Sequence, residues 1–155
     1  MTIERPIPFA MPMSDPADYY DLTRIRPEVL AALRKVNQMG PAFAARAKSV
    51  DDEASFPTEN YKDLADAGFL GLSIPEEYGG WGFSMGEYAM VGAEIGKYCG
   101  ATALTFNMHN SSMAWSRFMF DMPNLTPEEK AAFAPMRERQ FRRAMKERAI
   151  YSQPI

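Results

Sequence analysis

Two short strings limit most strongly what this chain can fold into. Ser84-Met85-Gly86-Glu87 and Thr126-Pro127-Glu128-Glu129 each place a hydroxyl residue three positions ahead of a glutamate. At that spacing the hydroxyl accepts from the glutamate's backbone N–H, and the carboxylate reaches back to the hydroxyl residue's own N–H. Two of the N–H groups orphaned at a helix start are thereby satisfied. Pro127 falls at the first helical position, where its missing N–H costs nothing. Helices are predicted to open at both points. The first carries Tyr88, Val91, Ile95 and Cys99 on one face and closes at Gly100.

The rest of the chain follows the same helical period. Val29, Leu30, Leu33, Val36 and Phe43 recur at helix spacing after Pro27, with Gly40-Pro41 predicted to kink or split the helix. Asp51-Asp52-Glu53 reads as a solvated loop or a charged helix end. Phe56-Pro57 opens the next helix, with Tyr61, Leu64 and Ala65 as its stripe and Gly68 as the left-handed residue after its end. Residues 101–120 form a long helix that is apolar on most sides, which predicts a central, buried position. Pro135 is predicted to bend or divide the helix opened at Thr126. Pro6, Pro8, Pro12 and Pro16 make residues 1–25 an extended arm, and Tyr151 to Ile155 leave the helical pattern. Strand signals are almost absent. The fold class predicted is all-α, a bundle of five to six helices spanning residues 26–150.

Between Phe69 and Gly82 four glycines and Pro75 forbid a regular element. The glycines invite a phosphate-loop reading, but there is no lysine and no preceding strand. A tight turn at Gly79-Gly80, anchored by Trp81 and Phe83, is predicted instead, with Glu76 and Glu77 in solvent.

Charge excludes little and points weakly. The net charge is −3, so no global field recruits nucleic acid. Seven basic and four acidic residues lie between Pro127 and Arg148. A solvated helix face accounts for them; the sharper reading is an anionic contact. Cys99 is the single cysteine and ends an apolar stripe, as a small core hydrophobe does. With one histidine, no two-histidine metal site can form. No run suits a signal peptide or a membrane span, and the expectation is a soluble, cytoplasmic protein.

Three pieces of the chain resemble the N-terminal domain of the acyl-CoA dehydrogenases. They are Phe56-Pro57 with Leu64, Ala65, Gly68 and Phe69; Ile74-Pro75-Glu76-Glu77-Tyr78-Gly79-Gly80-Trp81-Gly82; and Met108-His109-Asn110-Ser111. Thr126-Pro127-Glu128-Glu129-Lys130 adds a weaker fourth. The resemblance covers about two thirds of the chain, and its middle motif is specific in length and order. It implies a flavoenzyme with a helical domain, a middle β domain and a C-terminal helical bundle. FAD lies between the last two, and a C-terminal glutamate removes the α-proton of an acyl-CoA thioester as hydride passes to the flavin. On this reading residues 151–155 begin the β domain, and the catalytic residues lie beyond this chain.

Carried over by position, Thr105, Met108, His109 and Ser112 are the candidates for facing the acyl substrate. They fall at i, i+3, i+4 and i+7, so one helix face presents all four. Core packing explains a methionine and a threonine on a buried helix equally well. Gln153 and Ile155 are the positions nearest the flavin. Tyr151-Ser152-Gln153-Pro154-Ile155 departs from the commoner dehydrogenase pattern. That departure leaves room for a flavin monooxygenase on the same fold, in which His109 would act near the flavin. A non-catalytic helical interaction module, with the basic 137–148 helix as its surface, is the reading from another class. A homo-oligomer follows from the family; the electron acceptor and acyl-chain length do not.

Overall fold

The computed structural model describes residues 15–152. It has five α-helices and, among the described residues, no strand: α1 Pro27–Asp52, α2 Thr58–Asp66, α3 Met85–Gly96, α4 Gly100–Asp121 and α5 Pro127–Glu147. The all-α fold is as predicted. Four short 3-10 turns fill the connections, at Pro16–Asp18, Leu22–Arg24, Phe69–Gly71 and Glu76–Tyr78. Residues 15–25 are therefore turned where an extended arm was predicted, and they are tied down. Asp15 pairs with Arg34, and the Tyr19 hydroxyl donates to the buried Glu94 carboxylate at 2.7 Å. Pro6, Pro8, Pro12, Gln153 and Ile155 lie outside the described residues.

Both predicted capping boxes form. Ser84 Oγ accepts from the Glu87 N–H while Glu87 Oε2 accepts from the Ser84 N–H at 2.7 Å, and Thr126 with Glu129 repeats the pattern. Gly68 takes φ 81° just past α2, as expected of the residue that ends a helix in the left-handed region. Pro57 stands one position before α2, at its cap and not inside its first turn.

The prolines inside helices break neither. α1 runs through Pro41 and α5 through Pro135 as single helices. For α1 the reason is tertiary: Val29, Ala32, Leu33 and Val36 before the proline and Phe43 after it are all fully buried in one core. Burying each large side chain contributes about 1.5–3 kcal/mol, which offsets the roughly 3 kcal/mol cost of an interior proline. Gly100 also departs from its expected role. α3 stops at Gly96, and Gly100 is the first residue of α4, after Cys99 has turned the chain in an extended conformation.

The main core joins the inner faces of α1, α2, α3 and α4 with Phe69, Leu72 and Phe83 from the connection. A second cluster of Ile74, Met113, Phe141 and Ala144 seats α5 against α4, with Tyr78, Met145 and Tyr151 packed around it. α4 touches both clusters and so positions everything that follows. Its burial is one-sided, against expectation. Thr102, Phe106, His109, Asn110 and Met113 are inside, while Leu104 is 65% exposed, Trp115 54% and Phe118 41%. Apolar content told of a packed helix but not which side is covered.

Among the described residues no helix is long and apolar enough to cross a membrane, and no group of His, Cys, Asp and Glu is placed to hold a metal ion.

Candidate functional site

The four candidate side chains share α4, as their spacing requires, but they do not share an environment. Met108 and Thr105 are half-buried and border the exposed Leu104–Trp115–Phe118 stripe. Ser112 is 8% exposed, and His109 is fully buried. The face thus runs from solvent into the core across the width of one helix.

Its hydroxyls are turned inward along the helix. Thr105 Oγ1 donates to the Ala101 carbonyl at 2.9 Å, and Ser112 Oγ donates to the Met108 carbonyl at 2.9 Å. Ser111 and Ser116 bond back in the same way. Such back-bonding satisfies a hydroxyl inside its own helix.

His109 has two partners. Its Nε2 lies 2.9 Å from the Leu70 carbonyl, and the Tyr151 N–H donates to its Nδ1 at 3.1 Å. A backbone N–H can only donate, so Nδ1 is the bare nitrogen and Nε2 carries the proton, which it gives to Leu70. Burial pulls the imidazole pKa below its usual value, the larger influence, and the Leu70 carbonyl pulls it back up. The neutral ring is fully satisfied where it stands.

The glycine-rich connection is folded upon itself. The N–H groups of Gly80, Trp81, Gly82 and Phe83 donate to the carbonyls of Pro75, Gly71, Ile74 and Leu72 at 2.8–3.2 Å. These four amides are spent on the loop's own carbonyls and are not free to form an anion nest. Gly80 packs so closely on Ile74 that a β-carbon there would collide with the Ile74 carbonyl. Phe83 is buried, Trp81 is half-buried, and Glu76 and Glu77 are exposed, so only the depth of Trp81 falls short of expectation. Gln153 and Ile155 lie outside the described residues.

Two arginines take roles that the sequence does not announce: Arg137, expected on a solvated or partner-binding basic face, and Arg117. Arg137 lies with its guanidinium carbon 3.6 Å from the Phe120 ring centroid and donates to the Tyr78 hydroxyl at 3.3 Å. Arg117 donates to the Gly82 and Phe83 carbonyls. Both fasten the Tyr78–Phe83 segment to the helices. The available signal for Arg117 was its standing as the one Lys or Arg of α4, and Arg137 was hidden among the charges of α5. Arg142 and Arg143 do behave as a solvated face, paired at i, i+4 with Glu138 and Glu147. A cavity of about 280 Å³ opens elsewhere, between the end of α1 and the start of α2. Arg46, Val50, Phe56 and Asn60 help line it, and none of the four candidate residues does.

The α4 surface, the Ile74–Gly82 turn and α1 fall within one match to a known family. The acyl-CoA dehydrogenase N-terminal domain matches residues 27–120, more than half of the chain. This chain belongs to the acyl-CoA dehydrogenase family. A probable acyl-CoA dehydrogenase of Bacillus subtilis is 40% identical over 64 residues, 41% of this chain and 17% of that protein. The short-chain specific acyl-CoA dehydrogenase of Clostridium acetobutylicum is 31% identical over 97 residues, 61% of this chain and 24% of that protein. A 3-sulfinopropanoyl-CoA desulfinase of Variovorax paradoxus is 35% identical over 80 residues, 52% of this chain and 20% of that protein. The chain spans no more than about a quarter of the length of these relatives.

Proposed function

We propose that this acyl-CoA dehydrogenase-family chain is the helical domain of an FAD-dependent enzyme acting on an acyl-CoA thioester, and that the outer face of α4 forms part of the acyl pocket. The observation that carries the pocket reading is the character of that face. Thr105 spends its hydroxyl on Ala101, so beside Met108 and Leu104 it offers an acyl chain a methyl surface, with the buried Ser112, bonded to Met108, behind it. The names of the relatives support a CoA thioester as substrate, since all three act on one. FAD and the proton-abstracting base would come from residues beyond those described, with Gln153 and Ile155 nearest the flavin. Assembly into a homo-oligomer belongs to the same reading.

His109 enters as the inner edge of the face. A monooxygenase role would need one ring nitrogen free for proton transfer near the flavin, and both are occupied. That geometry favours the dehydrogenase reading.

The test is anaerobic flavin bleaching. A purified protein carrying this domain in its complete reading frame should be yellow and lose its flavin absorbance on addition of a saturated acyl-CoA. Met108→Trp should shift the preferred acyl length toward shorter chains by obstructing the pocket. A colourless protein, or a flavin that no acyl-CoA reduces, would defeat the proposal. An unchanged chain-length profile in Met108→Trp would defeat the α4 assignment alone.

A further inference from the structure

α5 ends at Glu147, and Arg148 follows in the left-handed region with φ 54°. The chain there reverses and runs back across the domain. The turn is closed by the Ala149 N–H, which donates to the Arg143 carbonyl at 3.2 Å, and three contacts reach beyond α5. Arg148 Nη1 pairs with Asp66 Oδ1 at 2.6 Å, on α2. The Tyr151 ring packs on the Ile74–Met113–Phe141–Ala144 cluster. The Tyr151 N–H donates to His109 Nδ1, 42 positions away in sequence.

These contacts differ in kind. The Arg148–Asp66 pair is more than half exposed on both sides, and such pairs contribute little. Ring packing sets depth but tolerates sliding. Of the three, the bond to His109 is the one that fixes the direction of a backbone amide, because a hydrogen bond weakens steeply when its angle departs from linear. The acceptor is itself immobilised. His109 is fully buried in the middle of α4, and its other nitrogen is pinned to Leu70 in the turn that follows α2.

We infer that His109 is a positioning residue: as the neutral ring with its proton on Nε2, it sets the path on which the chain leaves the helical domain at Tyr151. One ring thereby joins α4, the Leu70 turn and the exit segment. The opposite tautomer would set two N–H groups against each other at Tyr151 and two acceptors against each other at Leu70. The bond to Leu70 selects the tautomer that Tyr151 needs. This assignment requires nothing of the flavin reading, and it stands whichever reaction the family member performs.

Two substitutions separate the two bonds. Asparagine presents an acceptor near the place of Nδ1 and nothing near Nε2; glutamine presents its amide near the place of Nε2. In this chain, labelled with nitrogen-15, the His109 ring should show Nδ1 bare and Nε2 protonated. The Tyr151 amide should exchange slowly with solvent. In His109→Asn its protection should stay within about threefold of the parent. In His109→Gln it should fall at least tenfold, with helix content by circular dichroism unchanged in both. A ring protonated on Nδ1 overturns the inference. So does a folded His109→Gln chain that keeps Tyr151 protected, or a folded His109→Asn chain that loses it. Should either variant fail to fold, the ring tautomer of the parent decides.

Discussion

Gly40 on α1 lies flat against the ring of Tyr98, which joins α3 to α4, so that a β-carbon at position 40 would overlap the ring edge. The ring is held by its hydroxyl, which donates to Asn37 Oδ1 at 2.7 Å, one turn earlier on α1. Overpacking of this kind costs about 1–3 kcal/mol, while replacing glycine by alanine within a helix returns at most about 1. Gly40→Ala should therefore lower stability by about 1–2 kcal/mol in urea unfolding. In a Tyr98→Ala background the same change should be neutral or stabilising. Additive effects in that double-mutant cycle would show that the two residues do not meet.

Two other glycines should respond in opposite directions. Gly80→Ala drives a β-carbon into the Ile74 carbonyl, a backbone atom held in place by the Gly82 N–H. The loss expected is about 3 kcal/mol or more. Gly92, inside α3, would meet nothing within 4 Å, and Gly92→Ala should stabilise by up to about 1 kcal/mol. Thermal midpoints of the two variants on either side of the parent are the expected outcome.

Acid should weaken the domain in two steps. The Arg26 guanidinium, bonded to Glu87 at 2.6 Å, is the largest influence holding that carboxyl down to about 2, from 4.5. A lowered pKa means the charged form stabilises the fold. That contribution is complete above pH 4.5 and disappears as pH falls toward 2, and it is under about 1 kcal/mol because the pair is open to solvent. Arg26→Ala should return the Glu87 midpoint toward 4.5 in a carboxyl titration. His109 acts in a higher window. Its folded pKa lies below 6.5, so the neutral ring favours the fold, fully so above 6.5 and progressively less as pH drops through the lowered value. The slope of unfolding free energy just below pH 6.5 should vanish in His109→Gln.

This chain alone should not bind FAD. Gln153 and Ile155 aside, the amides of Gly80, Trp81, Gly82 and Phe83 in its glycine loop are bonded internally and are not free for a phosphate. Titration of apo chain with FAD should leave flavin fluorescence unquenched; tight stoichiometric quenching would contradict the fold reading of that loop.

What the sequence made legible was whatever is decided locally. The starts of α3 and α5 could be read at Ser84 and Thr126 because a capping box closes within four residues. The turn at Gly68 could be read because a left-handed residue there favours glycine. The failures have the opposite character. Pro41 and Pro135, each expected to bend or divide its helix, divide neither, and for Pro41 the packing on both sides shows why; no local pattern records it. Gly100, expected at the end of α3, begins α4, since what decides is the extended turn at Cys99. For the site, spacing placed Thr105, Met108, His109 and Ser112 on one helix but not on one side of the protein boundary. Tyr151 as the partner of His109 was beyond reach, because nothing within 40 residues of His109 announces it.

The inward-bent hydroxyls of α4 also change how that helix should be compared with others. Hydropathy scales count Thr105, Ser111, Ser112 and Ser116 as polar, yet each has at least one bond to a carbonyl of its own helix. To a neighbouring molecule the half-buried Thr105 then resembles valine, and the buried Ser112 packs as alanine would. Exchange of serine for alanine, or threonine for valine, along this helix would preserve the apolar character of its surface, even where an alignment scores it as a change of chemical class.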